Sequence, residues 1–61
     1  MYTVRIESYE KTERVTLDNA KKLFGVDELF EYLQGYTALD VFFLEDENGQ
    51  DIYPVTKKHL S

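Results

Sequence analysis

The chain has 61 residues, with twelve Asp or Glu against seven Lys or Arg for a formal net charge of -5, no Cys, no Trp, one His and 43% hydrophobic residues. A single domain of this length buries only about 60% of the surface that its unfolded form exposes, which leaves no room for both a core and a deep catalytic cleft. Zero Cys excludes disulfide frameworks, thiolate metal sites and cysteine nucleophiles, and the acidic balance opposes binding to phosphate backbones or anionic lipid, which needs clustered Lys and Arg.

Residues 1–61 read as one domain. Tyr2, Val4 and Ile6 alternate with Thr3, Arg5 and Glu7, the period of a strand with one buried face. Val15 and Leu17 alternate in the same way with Arg14 and Thr16 and predict a second strand. Setting Val4 and Ile6 on the same face as Val15 and Leu17 requires an even-length loop near Glu10-Lys11. Pairing Ile6 with Val15 and Val4 with Leu17 then places Glu7 opposite Arg14.

Asp18 follows as an N-cap, with Ala20, Leu23 and Phe24 opening a helical stripe that Gly25 interrupts. Val26, Leu29, Phe30 and Leu33 resume it at i, i+3, i+4 and i+7, and Gly35 stands at its end. Either one helix runs over 19–34, kinked or interrupted at Gly25, or a short turn precedes a second helix capped by Asp27; the single interrupted helix is the simpler expectation.

Next comes the mostly apolar segment 39–44, then 45–51 around Asn48-Gly49, then 52–56. Asn-Gly between apolar runs is a strong hairpin signal. A two-residue turn would set Leu44 against Tyr53 and Phe42 against Val55, with Val41, Phe43 and Ile52 on the other face. A three-residue loop with a bulge at Gly49 would change these partners. In both cases the hairpin is apolar on two sides, and Pro54, lacking an N–H, means that its strand lies at an edge, carries a bulge or ends its pairing there.

These elements predict an α+β fold, a ββαββ two-layer sandwich with one helix packed on a four-stranded, mostly antiparallel sheet and a frayed tail over 57–61. In element order and size the chain resembles the small immunoglobulin-binding domains of streptococcal surface proteins. That resemblance implies a central last strand.

Catalytic chemistry finds no foothold. The only His, His59, falls on the expected tail, and twelve carboxylates lack a cleft to shift their acidity. Gly25, Gly35 and Gly49 are too scattered for a phosphate loop, and 45–51 lacks the spacing of a calcium loop because Leu44 and Val55 stand where ligands belong. No catalytic residue, metal site or cofactor is expected. The basic doublets Lys21-Lys22 and Lys57-Lys58 do not make a nucleic-acid stripe. The longest apolar run, 41–44, is far short of a membrane span, and the first residues lack a signal-peptide pattern, so a cytoplasmic protein is expected.

The charge has an address. Residues 1–26 carry five basic and four acidic residues, 52–61 carry two basic ones, and 27–51 carry eight acidic residues and no basic one: Asp27, Glu28, Glu31, Asp40, Glu45, Asp46, Glu47 and Asp51. Like charges such as Asp27 and Glu31 at i, i+4 repel, a cost that nothing in the segment offsets. With Tyr32, Tyr36 and Tyr53 beside them, these acids outline an interaction face for a basic protein surface, as in an inhibitor or regulator of a nucleic-acid-binding partner. The alternative is a homodimer formed through the two-sided hairpin, because exposed apolar patches mark interfaces and small chains gain from association.

Overall fold

The computed structural model describes residues 1–35 and 39–61. Its elements are β1 (Thr3–Ser8), β2 (Thr12–Thr16), α1 (Leu17–Phe24), α2 (Val26–Gln34), β3 (Asp40–Glu45), β4 (Asp51–Ile52) and a C-terminal 3₁₀ helix (Lys57–Leu60). The strands form one sheet in the order β2-β1-β3-β4, every neighbouring pair antiparallel. The fold is α+β with ββαββ order. The central pair is β1 with β3, and the last strand, which ends at Ile52 before Pro54, lies at an edge, so the strand order departs from the one implied by the immunoglobulin-binding domains.

The β1–β2 register differs from the expected one. Val4 faces Val15, Arg5 faces Arg14 and Ile6 faces Glu13. The loop is even in length, as expected, with two residues, but it is Tyr9-Glu10, one position earlier than Glu10-Lys11. Ser8 closes it: its amide and hydroxyl both donate to the Lys11 carbonyl, each at 2.9 Å, and its Oγ accepts the Lys11 N–H at 3.3 Å. Leu17 is thereby released from the strand and begins α1. Thr16, not Asp18, is the N-cap, its side chain accepting the Asn19 N–H at 3.3 Å.

Gly25 breaks the helix outright. At φ +77° and ψ +157° it ends α1, donating its N–H to the Lys21 carbonyl, and at once opens α2, its own carbonyl accepting the Leu29 N–H. Only glycine adopts this backbone region readily. Asp27 therefore lies inside the first turn of α2 rather than at its cap, where its charge still suits the positive helix end.

In the β3–β4 hairpin the three-residue alternative is the one formed. Leu44 faces Ile52 and Glu45 faces Asp51, and Gly49 takes φ +80°. Asp46 organises the turn, its Oδ1 accepting the N–H groups of Asn48 at 2.8 Å and Gln50 at 2.9 Å. Ile52 consequently shares a face with Leu44 rather than with Val41 and Phe43.

Both helices cover the sheet face that carries Val4, Phe42 and Leu44. Leu17, Ala20, Leu29, Leu33, Val55 and Leu60 complete the buried core. Leu29 and Leu33, four apart, present one face of α2, and full burial of such a side chain contributes about 1.5–3 kcal/mol. The chain end is not frayed: Leu60 is only 1% exposed, and the Lys21 ammonium donates to its carbonyl at 3.1 Å. An apolar residue that reaches the core outweighs the lysines beside it.

Candidate functional site

The uncovered sheet face holds the charges that the sequence leaves apparently unpaired. Alternation puts Arg5, Glu7, Arg14, Phe43, Glu45 and Asp51 on this side. Arg5, on the central strand, donates through Nη1 to Glu45 at 2.7 Å and to Asp51 at 3.0 Å, and its Nε lies 3.0 Å from a Glu7 oxygen. The guanidinium carbon stands 4.4 Å from the centre of the Phe43 ring. Arg14 Nε donates to the second Glu45 oxygen at 3.0 Å. Glu45 is thus bridged by two arginines and is buried.

Burial alone would lower the Arg5 pKa. Hydrogen bonds to Asp51 and Glu45, together with their negative charge, prevail and leave it raised, so the guanidinium stays charged.

The expected acidic face consequently divides. Glu45 and Asp51 are neutralised by Arg5 and Arg14, and Asp46 serves its own turn. Glu47 accepts from the Met1 ammonium at 2.6 Å, which holds its carboxyl below the usual range. Sequence distance hides these pairings: the partners of Arg5 lie 40 and 46 residues away. The like-charge cost in the 45–51 segment is offset by tertiary contacts.

The acids of α2 stand differently. Asp27 is 92% exposed, 3.7 Å from the Lys57 ammonium, a separation and exposure that give little attraction. Glu28 and Glu31 are exposed on the same helix, and Glu28 accepts the Tyr32 hydroxyl at 2.7 Å. That hydrogen bond, then burial and the nearby charges of Glu28 and Glu31, raises the Tyr32 pKa. The Tyr32 ring stacks on Phe42 at 4.7 Å and meets Phe24 edge-on at 5.4 Å, so it is a half-buried anchor of the core rather than a free contact. Tyr53 is 87% exposed. Tyr36 lies outside the described residues, and Asp40 is half-buried at the start of β3, opposite Ser8.

Two depressions that sequence reasoning missed meet at Asp40. One, of ≈ 290 Å³, has an apolar floor of Ile6, Phe24, Tyr32 and Phe42 and is edged by Glu13 and Asp40. The other, of ≈ 340 Å³, lies between Tyr9 and Leu39, with Ser8, Glu10 and Asp40. The true β1–β2 register creates the first of them, because it turns Glu13 rather than Val15 toward the side chain of Ile6.

Among the described residues no group of three or more His, Asp or Glu is placed to hold a metal ion. His59 lies 3.1 Å from the Thr56 hydroxyl, a separation that would suit a base and a nucleophile, but its Nδ1 also accepts the Thr56 N–H at 3.0 Å and closes a capping box on the 3₁₀ helix. That local role accounts for the pair. No helix among the described residues is long and apolar enough to cross a membrane. No protein-family model, curated protein or solved structure matches the chain.

Proposed function

We propose that this protein is a non-enzymatic protein-interaction module that docks an acidic face on a basic partner and so inhibits or regulates it. The reading rests on one observation. Helix α2 carries Asp27, Glu28 and Glu31 exposed and has no Lys or Arg between Val26 and Gln34; Asp27 meets Lys57 only loosely, both side chains being mostly exposed, whereas Glu45, Glu47 and Asp51 are held at 2.6–3.0 Å by cations of the chain itself. The centre of the acidic face is therefore α2, not the 45–51 hairpin. Complementary charge of this kind steers encounter and fixes orientation.

Capture of partners from a cell lysate by the tagged protein tests the assignment. The double variant Glu28→Lys, Glu31→Lys should lose capture while its circular dichroism stays native, and Asp46→Lys, Glu47→Lys should retain it. Undiminished capture by the helix variant would sink the reading.

A homodimer is the second reading. It is supported by exposed Tyr53 and half-buried Val41 and Phe43, which with Leu33, Gln34 and Gly35 at the end of α2 line a depression of ≈ 180 Å³. Light scattering over a concentration series decides it: a monomer at every concentration removes the idea.

A further inference from the structure

We infer that the two adjoining depressions at the turn end of the sheet form one binding groove for a basic peptide segment of the partner, in which a bulky apolar residue is flanked by lysine or arginine. The inference rests on the basic-partner reading above and gives that partner a point of contact.

The groove is the end of the inner sheet face. Ile6, Ser8, Glu13 and Asp40 share the face that the helices cover, yet Ile6 remains partly exposed and Glu13 is exposed. Helix α1, with eight residues, rises about 12 Å, whereas a six-residue strand runs about 20 Å, so a helix ended by Gly25 falls short of covering the strand beneath it. Phe24, the last residue of α1, meets Phe42 edge-on at 5.6 Å and forms one wall. Tyr9 and Leu39, 95% and 79% exposed, extend the apolar surface beyond it.

Carboxylates from different elements edge the two depressions, Glu10 and Glu13 from the β1–β2 hairpin and Asp40 from β3. Lys11, of the same hairpin, lies 3.5 Å from Glu13 and is exposed. An apolar floor with a mostly anionic rim takes an apolar side chain between cations. The same rim, on a chain of net charge -5, repels a second copy approaching through this face.

The test is an NMR titration of the isotope-labelled protein with three blocked pentapeptides, alternating lysine with leucine, lysine with glycine, and glutamate with leucine. The lysine–leucine peptide should saturate, with shifts centred on Ile6, Glu13, Phe24, Tyr32 and Leu39. The lysine–glycine peptide should bind less tightly, and the glutamate–leucine peptide should not bind. Glu13→Lys, a surface change, should weaken the lysine–leucine complex by about tenfold while the spectrum stays dispersed. Shifts centred instead on the outer side of α2, with Glu13→Lys without effect, would overturn the groove and leave the basic-partner reading standing, whereas shifts centred on 46–51 would overturn both. A response to the glutamate–leucine peptide equal to that of its lysine counterpart would overturn both. Loss of the groove resonances with rising protein concentration and no peptide would place a second copy there and overturn the proposal.

Discussion

Arg5 on the first strand and Glu45 on the third are joined at 2.7 Å across the open face of the sheet, Glu45 almost wholly buried beneath the two guanidinium groups that hold it. A buried carboxylate on a surface with no helix above it is covered by its own partners. Losing Glu45 therefore affects β1, β2 and β3 together.

Glu45→Ala should destabilise the domain by about 2–3 kcal/mol, below the loss typical of a fully buried pair because Arg5 keeps Glu7 and Asp51 as partners. Urea unfolding measures it, with Glu47→Ala as a surface control expected to change stability by less than about 0.5 kcal/mol. Equal midpoints for the two variants would show that the cluster contributes nothing.

Gly25→Ala should cost about 1–3 kcal/mol, because a side chain at φ +77° and ψ +157° strains the backbone even though no atom stands in its way. Gly35 is extended at φ −158° and also has open space, so Gly35→Ala should leave stability unchanged or raise it by up to about 1 kcal/mol. Thermal unfolding of the two variants side by side separates a broken helix from a continuous one, in which Gly25→Ala would stabilise.

Leu60→Ala should cost about 2–5 kcal/mol, the range for emptying a core position. Ser61→Ala next to it should cost far less, because the exposed Ser61 hydroxyl makes only a local bond to the Lys57 carbonyl. Amide hydrogen exchange offers a second check, since a frayed tail would exchange the His59 N–H at once, whereas its bond to the Thr56 carbonyl predicts protection.

The phenol of Tyr32 should ionise above the ordinary tyrosine value of about 10, and Glu28→Gln should bring that transition down. A phenol whose folded pKa is raised contributes stability that is fully present below the unfolded value and is lost as pH rises through the folded one. Tyr32→Phe should therefore remove part of the loss of stability that begins near pH 10. Phenolate absorbance and thermal unfolding across alkaline pH read the two effects.

How much of this was legible varies with the range of the interaction. Strand alternation over 2–8 and Asn48-Gly49 between apolar runs report local geometry, and both strands and hairpin form there. Thr16 continues an alternating strand equally well on paper, and only its capping of Asn19 withdraws Leu17 from the sheet and moves the register. The acidic block from Asp27 to Asp51 is plain in the sequence, but which acids remain free is not, because Arg5 chooses Glu45 and Asp51 from far along the chain. Leu60, following two lysines and a histidine, resembles a solvated end until Lys21 and the core claim it. The groove at Glu13 depends on that same shifted register and could not be read before it.

The strand order also dictates a sequence of events during synthesis. The β1–β2 hairpin can close early, since its loop is two residues, but the other edge of β1 stays open until β3 emerges more than 30 residues later. Until then a nascent chain displays an unpaired strand edge, and Arg5 and Arg14 face water without Glu45 or Asp51. The late acidic segment thus completes the sheet and neutralises its first strand in the same step, so a chain halted before Glu45 would be basic where the finished protein is not, and open to aggregation along β1.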